Sequence, residues 1–178
     1  MGDLARKIDD HTIQFVRVLP GPIEKIWDYL VDSEKRGQWF AKGPFGKVGE
    51  PFELRWKHSE LSPNTAPPPD SMAEMDKTGH SAVNTLLKME PPHLLAFTFG
   101  GSKMSPDKIS EVEFRLEDMG DNKVRLTLTH SKIPDESYRT GVTGGWHSHL
   151  DVLQYRAEGK TPPAFWNVWR EAQNAYGK

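Results

Sequence analysis

The 178-residue chain contains no cysteine. Disulfide bonds, thiolate metal sites and a cysteine nucleophile are therefore excluded, and the composition fits a reducing compartment. The chain also lacks an uninterrupted apolar run of about 18 residues, and its first residues lack the shorter apolar run of a signal peptide. We therefore expect a cytoplasmic protein that does not enter a membrane.

An excess of charge of either sign is also missing. The chain has 23 Lys and Arg against 25 Asp and Glu, which gives a formal net charge of −2. A chain without a basic excess does not attract phosphate backbones, so nucleic acid is not an expected partner. A length of 178 residues with 36% hydrophobic residues suits one domain with a sizeable core.

Motifs that bind cofactors or metals are absent as well. Neither Gly-Gly pair, at residues 100–101 and 144–145, belongs to a phosphate-binding pattern, and no nucleophile elbow is present. His147 and His149 point about 200° apart on a helix and cannot share one ion. A second pair, His58 and His80, flanks a long loop and can come together, but two histidines without a carboxylate are a weak metal signal. We expect no metal and no cofactor.

Residues 144–159 predict one amphipathic helix, closed by Gly159 just after the C-cap. The apolar face of this helix comprises Val142, Trp146, His149, Leu150, Leu153 and Ala157. The opposite face, which we expect in solvent, comprises His147, Asp151, Gln154 and Glu158. Most strand-like segments precede this helix, so we interpret it as the rod around which a sheet wraps.

Alternation of apolar and polar residues predicts antiparallel strands joined by hairpins, with one face of the sheet in water. The predicted strands are residues 11–19, two short strands after the glycines at 43, 46 and 49 (the second at 52–56), and residues 81–90, 94–99, 109–118 and 123–131. Two short helices, at residues 22–31 and about 33–37, follow the first strand.

The register of the first strand has two interpretations. If Ile13 and Phe15 face inward, Arg17 also points into the cleft; if Val16 and Val18 face inward, Arg17 lies in water. Because arginine is mostly exposed in folded proteins, we expect Arg17 in solvent.

Two further segments also allow alternatives. Residues 58–80 are polar and rich in proline, so they are either disordered or a lid or binding loop. After Thr161, the expected cap, Phe165, Trp166 and Trp169 mark a C-terminal helix. Its aromatic side chains need a cover, either the body of this domain or a second subunit, and the second alternative predicts a homodimer.

Three signatures resemble a known superfamily. They are Arg17 to Pro22 with Ile26-Trp27 and Trp39-Phe40, Leu86 to Pro92 with Leu94 to Phe99, and Gly145-Trp146 with Leu150 and Leu153. Together they resemble START domains, plant pathogenesis-related allergens and polyketide cyclases (the SRPBCC superfamily). Within it, the chain is most similar to the branch named after the C-terminal domain of the activator of heat-shock-protein ATPase (AHSA-type).

The resemblance implies an α+β helix-grip fold. In that fold, a curved antiparallel sheet of six to seven strands wraps around a long C-terminal helix, with two short helices after the first strand. We expect the helix-grip domain at residues 11–159 and an extra C-terminal helix at residues 160–178. The branch also implies a possible chaperone partner and a place in the stress response.

A cleft between sheet and helix is the expected binding site, unless side chains simply fill it. The expected lining residues are Trp39, Phe40, Phe52, Leu54, Trp56, Phe97, Phe99, Phe114, Leu126, Leu128, His130, Trp146, His149, Leu150 and Leu153. Of these, His149, His130 and Trp56 would orient a ligand, and residues 58–80 would gate the cleft. His149 is either a hydrogen-bonded core histidine or a group that orients a ligand or transfers a proton.

Three functions follow, in order of preference. The first is a non-catalytic module that binds a small apolar or amphipathic molecule in the cleft. The second is a chaperone-ATPase regulator, or another protein-interaction module, which would use the outer face of the sheet. The third is a cyclase-type or hydrolase-type enzyme with His149 as general base.

Overall fold

The computed structural model describes residues 2–102 and 105–177. The strands are β1 (Arg6–Asp9), β2 (Thr12–Pro20), β3 (Pro51–Trp56), β4 (His80–Glu90), β5 (Leu94–Ser102), β6 (Ser105–Gly120) and β7 (Lys123–Ser131). The α-helices are α1 (Ile23–Val31), α2 (Ser33–Arg36), α3 (Ala73–Thr78), α4 (Glu136–Ala157) and α5 (Phe165–Ala175). Within these described residues, no helix has the length and apolar character needed to cross a bilayer.

The strands form one seven-stranded sheet in the order β1-β2-β7-β6-β5-β4-β3, with every neighbouring pair antiparallel. Two short helices follow β2, and two helices close the chain, so the predicted α+β helix-grip fold is confirmed. One predicted strand is wrong. Between α2 and β3 the backbone makes only a single bridge, from Lys42 to Arg55, because the glycines there interrupt regular pairing.

The first long strand, β2, settles the register of Arg17. Phe15 and Arg17 are buried, whereas Val18 is 49% exposed. The expectation that Arg17 lies in water is therefore wrong. The buried guanidinium is compensated by Asp151, with Nη2 to Oδ1 at 3.4 Å, and it also donates to the Asp3 carbonyl at 2.7 Å.

The long helix α4 begins at Glu136, earlier than predicted. Asp135 caps it by accepting a hydrogen bond from the Tyr138 backbone N–H at 2.8 Å. Glycines at 141, 144 and 145 hide this first part of the helix, because glycine is a poor helix former. The predicted end is confirmed: Gly159 follows the C-cap with a φ of +71°.

The second face of α4 is not in solvent along its whole length. His147 is 0% and Asp151 7% exposed, so the prediction for these two residues is wrong. The cause is that β2 and the C-terminal part of the chain cover this face: Arg17 of β2 lies 3.4 Å from Asp151, and Tyr176, just after α5, places its hydroxyl 3.0 Å from His147 Nδ1. Only Gln154 and Glu158, nearer the end of the helix, keep their expected contact with water.

The C-terminal helix α5 is covered by the body of this domain. Phe165 and Trp166 are buried within the chain, so the aromatic residues that suggested a homodimer find their cover without a second subunit. The helix begins at Phe165 after Ala164 and has no side-chain cap. The expected capping role of Thr161 is therefore wrong.

Residues 58–80, hereafter the 58–80 segment, are an insertion in the β3–β4 hairpin, since Trp56 pairs with His80. The structure gives the segment a defined conformation with two 3₁₀ turns and α3. The segment is fastened to the C-terminal part of the chain. Ser62 Oγ and Asn64 Nδ2 donate to the Pro162 carbonyl at 2.7 and 3.0 Å, and Arg156 Nη2 donates to the Leu61 carbonyl at 2.8 Å.

Candidate functional site

A cavity of about 920 Å³ lies between the β3–β5 side of the sheet, the first half of α4 and the 58–80 segment. Its walls are mostly apolar and aromatic. The sheet contributes Trp56 and Phe99, α4 contributes Tyr138, Val142, Gly145, Trp146 and His149, the 58–80 segment contributes His58, Met75 and His80, and the chain after α2 contributes Phe40.

Five of the predicted lining residues border this cavity: Phe40, Trp56, Phe99, Trp146 and His149. The other ten lie in the core and do not border it, because side chains fill the remaining space between sheet and helix. These ten residues are Trp39, Phe52, Leu54, Phe97, Phe114, Leu126, Leu128, His130, Leu150 and Leu153.

Phe40 reaches the cavity because Arg36 holds the chain after α2. The buried Arg36 guanidinium donates to the carbonyls of Leu30, Val31 and Ala41 at 3.1 to 3.2 Å. Burial lowers the pKa of Arg36 to about 10, so it stays charged at neutral pH. One guanidinium therefore ties the end of α1 to the segment that carries Phe40.

The aromatic wall has a fixed geometry. Phe40 stacks on Trp146 with ring centroids 4.8 Å apart, and it meets Trp56 edge-on at 5.5 Å. Phe99 lies 5.5 Å from Trp146. Aromatic pairs of this kind add stabilisation beyond their buried area, so the wall keeps its shape without a ligand.

His130 holds Trp146 rather than a ligand. Its Nδ1 accepts from the Trp146 indole N–H at 2.9 Å, and its Nε2 contacts the Ser110 hydroxyl at 2.6 Å. Because Nδ1 is the acceptor, Nε2 of the neutral ring carries the proton and donates to Ser110. Burial lowers the pKa of His130 to about 3, which keeps it neutral. The structure thus gives both ring nitrogens of His130 internal partners, which leaves neither for the ligand contact expected from the sequence.

His149 has one nitrogen engaged. Its Nδ1 lies 2.7 Å from the Trp39 carbonyl, which can only accept, so Nδ1 carries the proton and Nε2 carries a lone pair. Burial lowers the pKa of His149 to about 4, although the hydrogen bond to Trp39 opposes this shift. His149 is therefore a neutral hydrogen-bond acceptor beside the cavity at physiological pH.

Two more imidazoles join His149. The ring of His58 stacks on Phe165 at 4.6 Å and lies 5.3 Å from the His149 ring and 5.6 Å from that of His80. His80 in turn stacks on Trp56 at 5.0 Å. Burial lowers the pKa of His58 and His80, and the two neighbouring histidines lower that of His58 further. Among the described residues, no group of three or more His, Cys, Asp or Glu is placed to hold a metal ion.

The charged residues of the lining are paired or exposed. Arg55 pairs with Glu53 at 2.6 Å and Lys57 with Glu60 at 3.0 Å. Tyr138 is half-buried, and burial raises the pKa of its hydroxyl. The interior of the cavity therefore offers aromatic faces, imidazoles and one phenol.

Sequence reasoning missed Tyr138 and gave His58 and His80 no place in the cleft. A signal for Tyr138 was present, since Asp135 follows Pro134 and is a good helix N-cap. For the two histidines, alternation in β3 and β4 alone does not reveal that the inserted segment folds back over the cavity. Their position depends on contacts with α5, such as that between His58 and Phe165.

Several known proteins are similar to this chain. The family model described as Activator of Hsp90 ATPase homolog 1-like protein matches residues 20–158. The solution structure of the protein encoded by gene BPP1335 of Bordetella parapertussis is similar, with 40% identity, a TM-score of 0.82, and coverage of 100% of this chain and 90% of that one.

Two more distant structures share the fold alone. The crystal structure of CalU16 from Micromonospora echinospora has 22% identity and a TM-score of 0.64, and the match covers 97% of this chain and 92% of the CalU16 chain. That of PFC0360w, described as an HSP90 activator from Plasmodium falciparum, has 16% identity and a TM-score of 0.53, with coverage of 76% and 87%.

A curated mouse protein also matches. It is described as probable beta-1,3-galactosyl-O-glycosyl-glycoprotein beta-1,6-N-acetylglucosaminyltransferase 7 and is 24% identical over 152 residues. The match covers 74% of this chain but 34% of the mouse protein, so this chain spans about a third of that relative.

Proposed function

The chain belongs to the family of Activator of Hsp90 ATPase homolog 1-like proteins, whose model matches residues 20–158, and we propose that it is a binding module for a small apolar or amphipathic molecule. The cavity of about 920 Å³ with aromatic walls is the observation that carries this proposal. Its volume is in the range, roughly 300–1,000 Å³, of sites that hold drug-sized ligands.

The 58–80 segment is the lid of this site in our proposal. It contributes His58 and Met75 to the lining and lies over a wall whose Phe40 and Trp56 are almost fully buried. Movement of the lid would therefore widen the path of a ligand to the aromatic wall. Hydrogen bonds to the Pro162 carbonyl, and from Arg156 to the Leu61 carbonyl, oppose that movement.

Filling the cavity tests the proposal. Gly145 borders the cavity, and a Cβ there would meet no atom within 4 Å, so Gly145→Leu places a side chain in the space meant for a ligand. We expect Gly145→Leu to abolish the rise in melting temperature that apolar compounds give the wild type. At a ligand concentration of 100 times Kd, that rise corresponds to about 2.7 kcal/mol.

The matched control is Gly141→Leu on the same helix. Gly141 is exposed, does not border the cavity, and also leaves open space for a Cβ. Both replacements remove a helix glycine, which stabilises α4 by up to about 1 kcal/mol. If Gly145→Leu responds to apolar compounds as Gly141→Leu does, the cavity is not the binding site.

A second candidate is a chaperone-ATPase regulator, which the family description favours. On the outer face of the sheet, Val18, Val83 and Ile109 are about half exposed or more, and they provide positions at which this candidate can be tested. This function predicts stimulation of the ATPase of a purified Hsp90-type chaperone, lost in Val18→Lys but kept in Gly145→Leu. Stimulation lost only in Gly145→Leu would assign it to the cavity instead.

A further inference from the structure

The polar end of the cavity contains three imidazoles and no charged side chain between them. His58 lies centrally, with ring centroids 5.3 Å from His149 and 5.6 Å from His80. All three rings border the cavity. The aromatic wall is apolar without these three rings. The imidazoles therefore add hydrogen-bonding groups at this end of the cavity.

The hydrogen-bonding role of His149 is fixed by the backbone. Its Nδ1 proton is donated to the Trp39 carbonyl, so its Nε2 can only accept. Within residues 2–102 and 105–177, the structure shows no donor for this Nε2. A partner for it must come from what enters the cavity.

His58 has the complementary role. Neither of its ring nitrogens has a hydrogen-bond partner in the described part of the chain; Nδ1 is buried, so Nε2 is the nitrogen that a ligand can reach. A neutral imidazole always carries one N–H, so His58 can donate where His149 can only accept. Buried polar groups are rarely left unpaired in folded proteins, and the cluster is therefore incomplete without a further group.

A hydroxyl group matches both roles because it donates and accepts at the same atom. A carboxylate only accepts and would face the lone pair of His149. An ammonium group only donates, and Glu74, the one carboxylate in the lining, lies exposed at its edge. Removing either ion from water into a site without a buried counter-charge is unfavourable.

We propose that the cavity selects apolar alcohols or phenols, whose hydroxyl donates to His149 Nε2 and accepts from His58. The inference rests on the proposed binding function and adds the chemical class of the ligand. Burial keeps the cluster neutral by lowering the pKa of His58, His80 and His149, so the hydroxyl meets no charge. The aromatic wall of Phe40, Trp56 and Trp146 then packs against the apolar body of the ligand.

Four matched compounds test the proposal by calorimetry on the full chain at neutral pH. They share one aromatic body and differ in head group: naphthylmethanol, methylnaphthalene, naphthoate and naphthylmethylamine. We expect naphthylmethanol to bind about tenfold more tightly than methylnaphthalene, which is the gain from two modest hydrogen bonds. Naphthoate and naphthylmethylamine should bind more weakly than naphthylmethanol.

Variants assign the gain to the two histidines. His149→Phe and His58→Phe each remove one of the two hydrogen bonds, so each should reduce the preference for naphthylmethanol over methylnaphthalene from about tenfold to about threefold, with methylnaphthalene binding unchanged. His93→Phe is the control, since the His93 Nδ1 also bonds a backbone carbonyl, that of Leu116, but lies outside the cavity. The comparison of compounds on the wild type stands even if a variant does not fold.

The outcomes separate the two proposals. Equal binding of naphthylmethanol and methylnaphthalene overturns the choice of hydroxyl and leaves the apolar binding module intact. Tighter binding of naphthoate or naphthylmethylamine than of naphthylmethanol overturns it as well. If none of the four compounds binds and Gly145→Leu changes nothing, the binding module itself is refuted.

Discussion

At the scale of single residues, one pair of buried opposite charges lies behind α4, away from the cavity. Arg17 and Asp151 face each other there, with side chains 3% and 9% exposed. Asp151 also lies 3.5 Å from His147 Nε2 and accepts from the Gly2 backbone N–H at 3.1 Å. Burial raises the pKa of Asp151, but these partners and Arg17 outweigh it and hold the pKa below its usual value.

This pair makes a prediction for stability. Asp151→Leu leaves the Arg17 guanidinium without its counter-charge, and we expect a loss of about 3–5 kcal/mol in the free energy of unfolding. The double variant Arg17→Met with Asp151→Leu removes both charges and should recover most of that loss in urea titrations. If the double variant is as unstable as the single one, the pair is not the reason for the loss.

The histidines of the cavity predict how stability depends on pH. Burial lowers the pKa of His149 to about 4 and also lowers those of His58 and His80, whereas an unfolded histidine titrates near 6.5. Below about pH 6.5 the unfolded chain therefore binds more protons than the folded chain. The free energy of unfolding should be highest above about pH 6.5 and should decrease as the pH falls from about 6.5 to 4.

Urea titrations at pH 7 and 5 check this prediction. His149→Phe removes one titrating group, so its difference in stability between the two pH values should be smaller than in the wild type. A difference as large as that of the wild type would mean that His149 is not buried in its neutral form.

At the scale of elements, α5 and the residues before it pack against side chains that border the cavity. Phe165 stacks on His58 and lies 4.9 Å from His149, so the C-terminal helix supports the imidazole cluster from behind. The Pro162 carbonyl receives two hydrogen bonds from the 58–80 segment. The 58–80 segment is therefore held against the C-terminal part of the chain.

Removing these hydrogen bonds should make the lid more mobile without creating a cavity in the core. We expect Ser62→Ala combined with Asn64→Ala to increase hydrogen–deuterium exchange across the 58–80 segment and to speed ligand release. Ser59→Ala is the control, because that side chain is exposed and only its backbone N–H is bonded, to Asp76. Unchanged exchange in the double variant would show that other contacts hold the lid.

At the scale of the whole molecule, the order of the main strands and helices from β2 onward was predictable, because strands such as β3 and β7 alternate and the turn at residues 120–122 contains glycine and asparagine. Strand β1 was missed, since its four side chains are all exposed and show no alternation. The beginning of α4 was not predictable either, since its glycines weaken the helical signal before Trp146. Arg17 was misplaced because its compensating partner, Asp151, is far away in sequence. Strand alternation placed Trp56 correctly, but whether an inward residue borders a cavity or fills the core depends on packing across the molecule.

The cavity occupies the β3–β5 side of the sheet, whereas the Arg17–Asp151 pair lies against β2, on the other side. The buried charge pair is thereby separated in space from the cavity. In the proposed binding module, replacements at the half-buried Met75 would change the shape of the cavity without touching this pair. Changes in the shape of the cavity at such positions need not disturb the buried charges on which we expect part of the stability to depend.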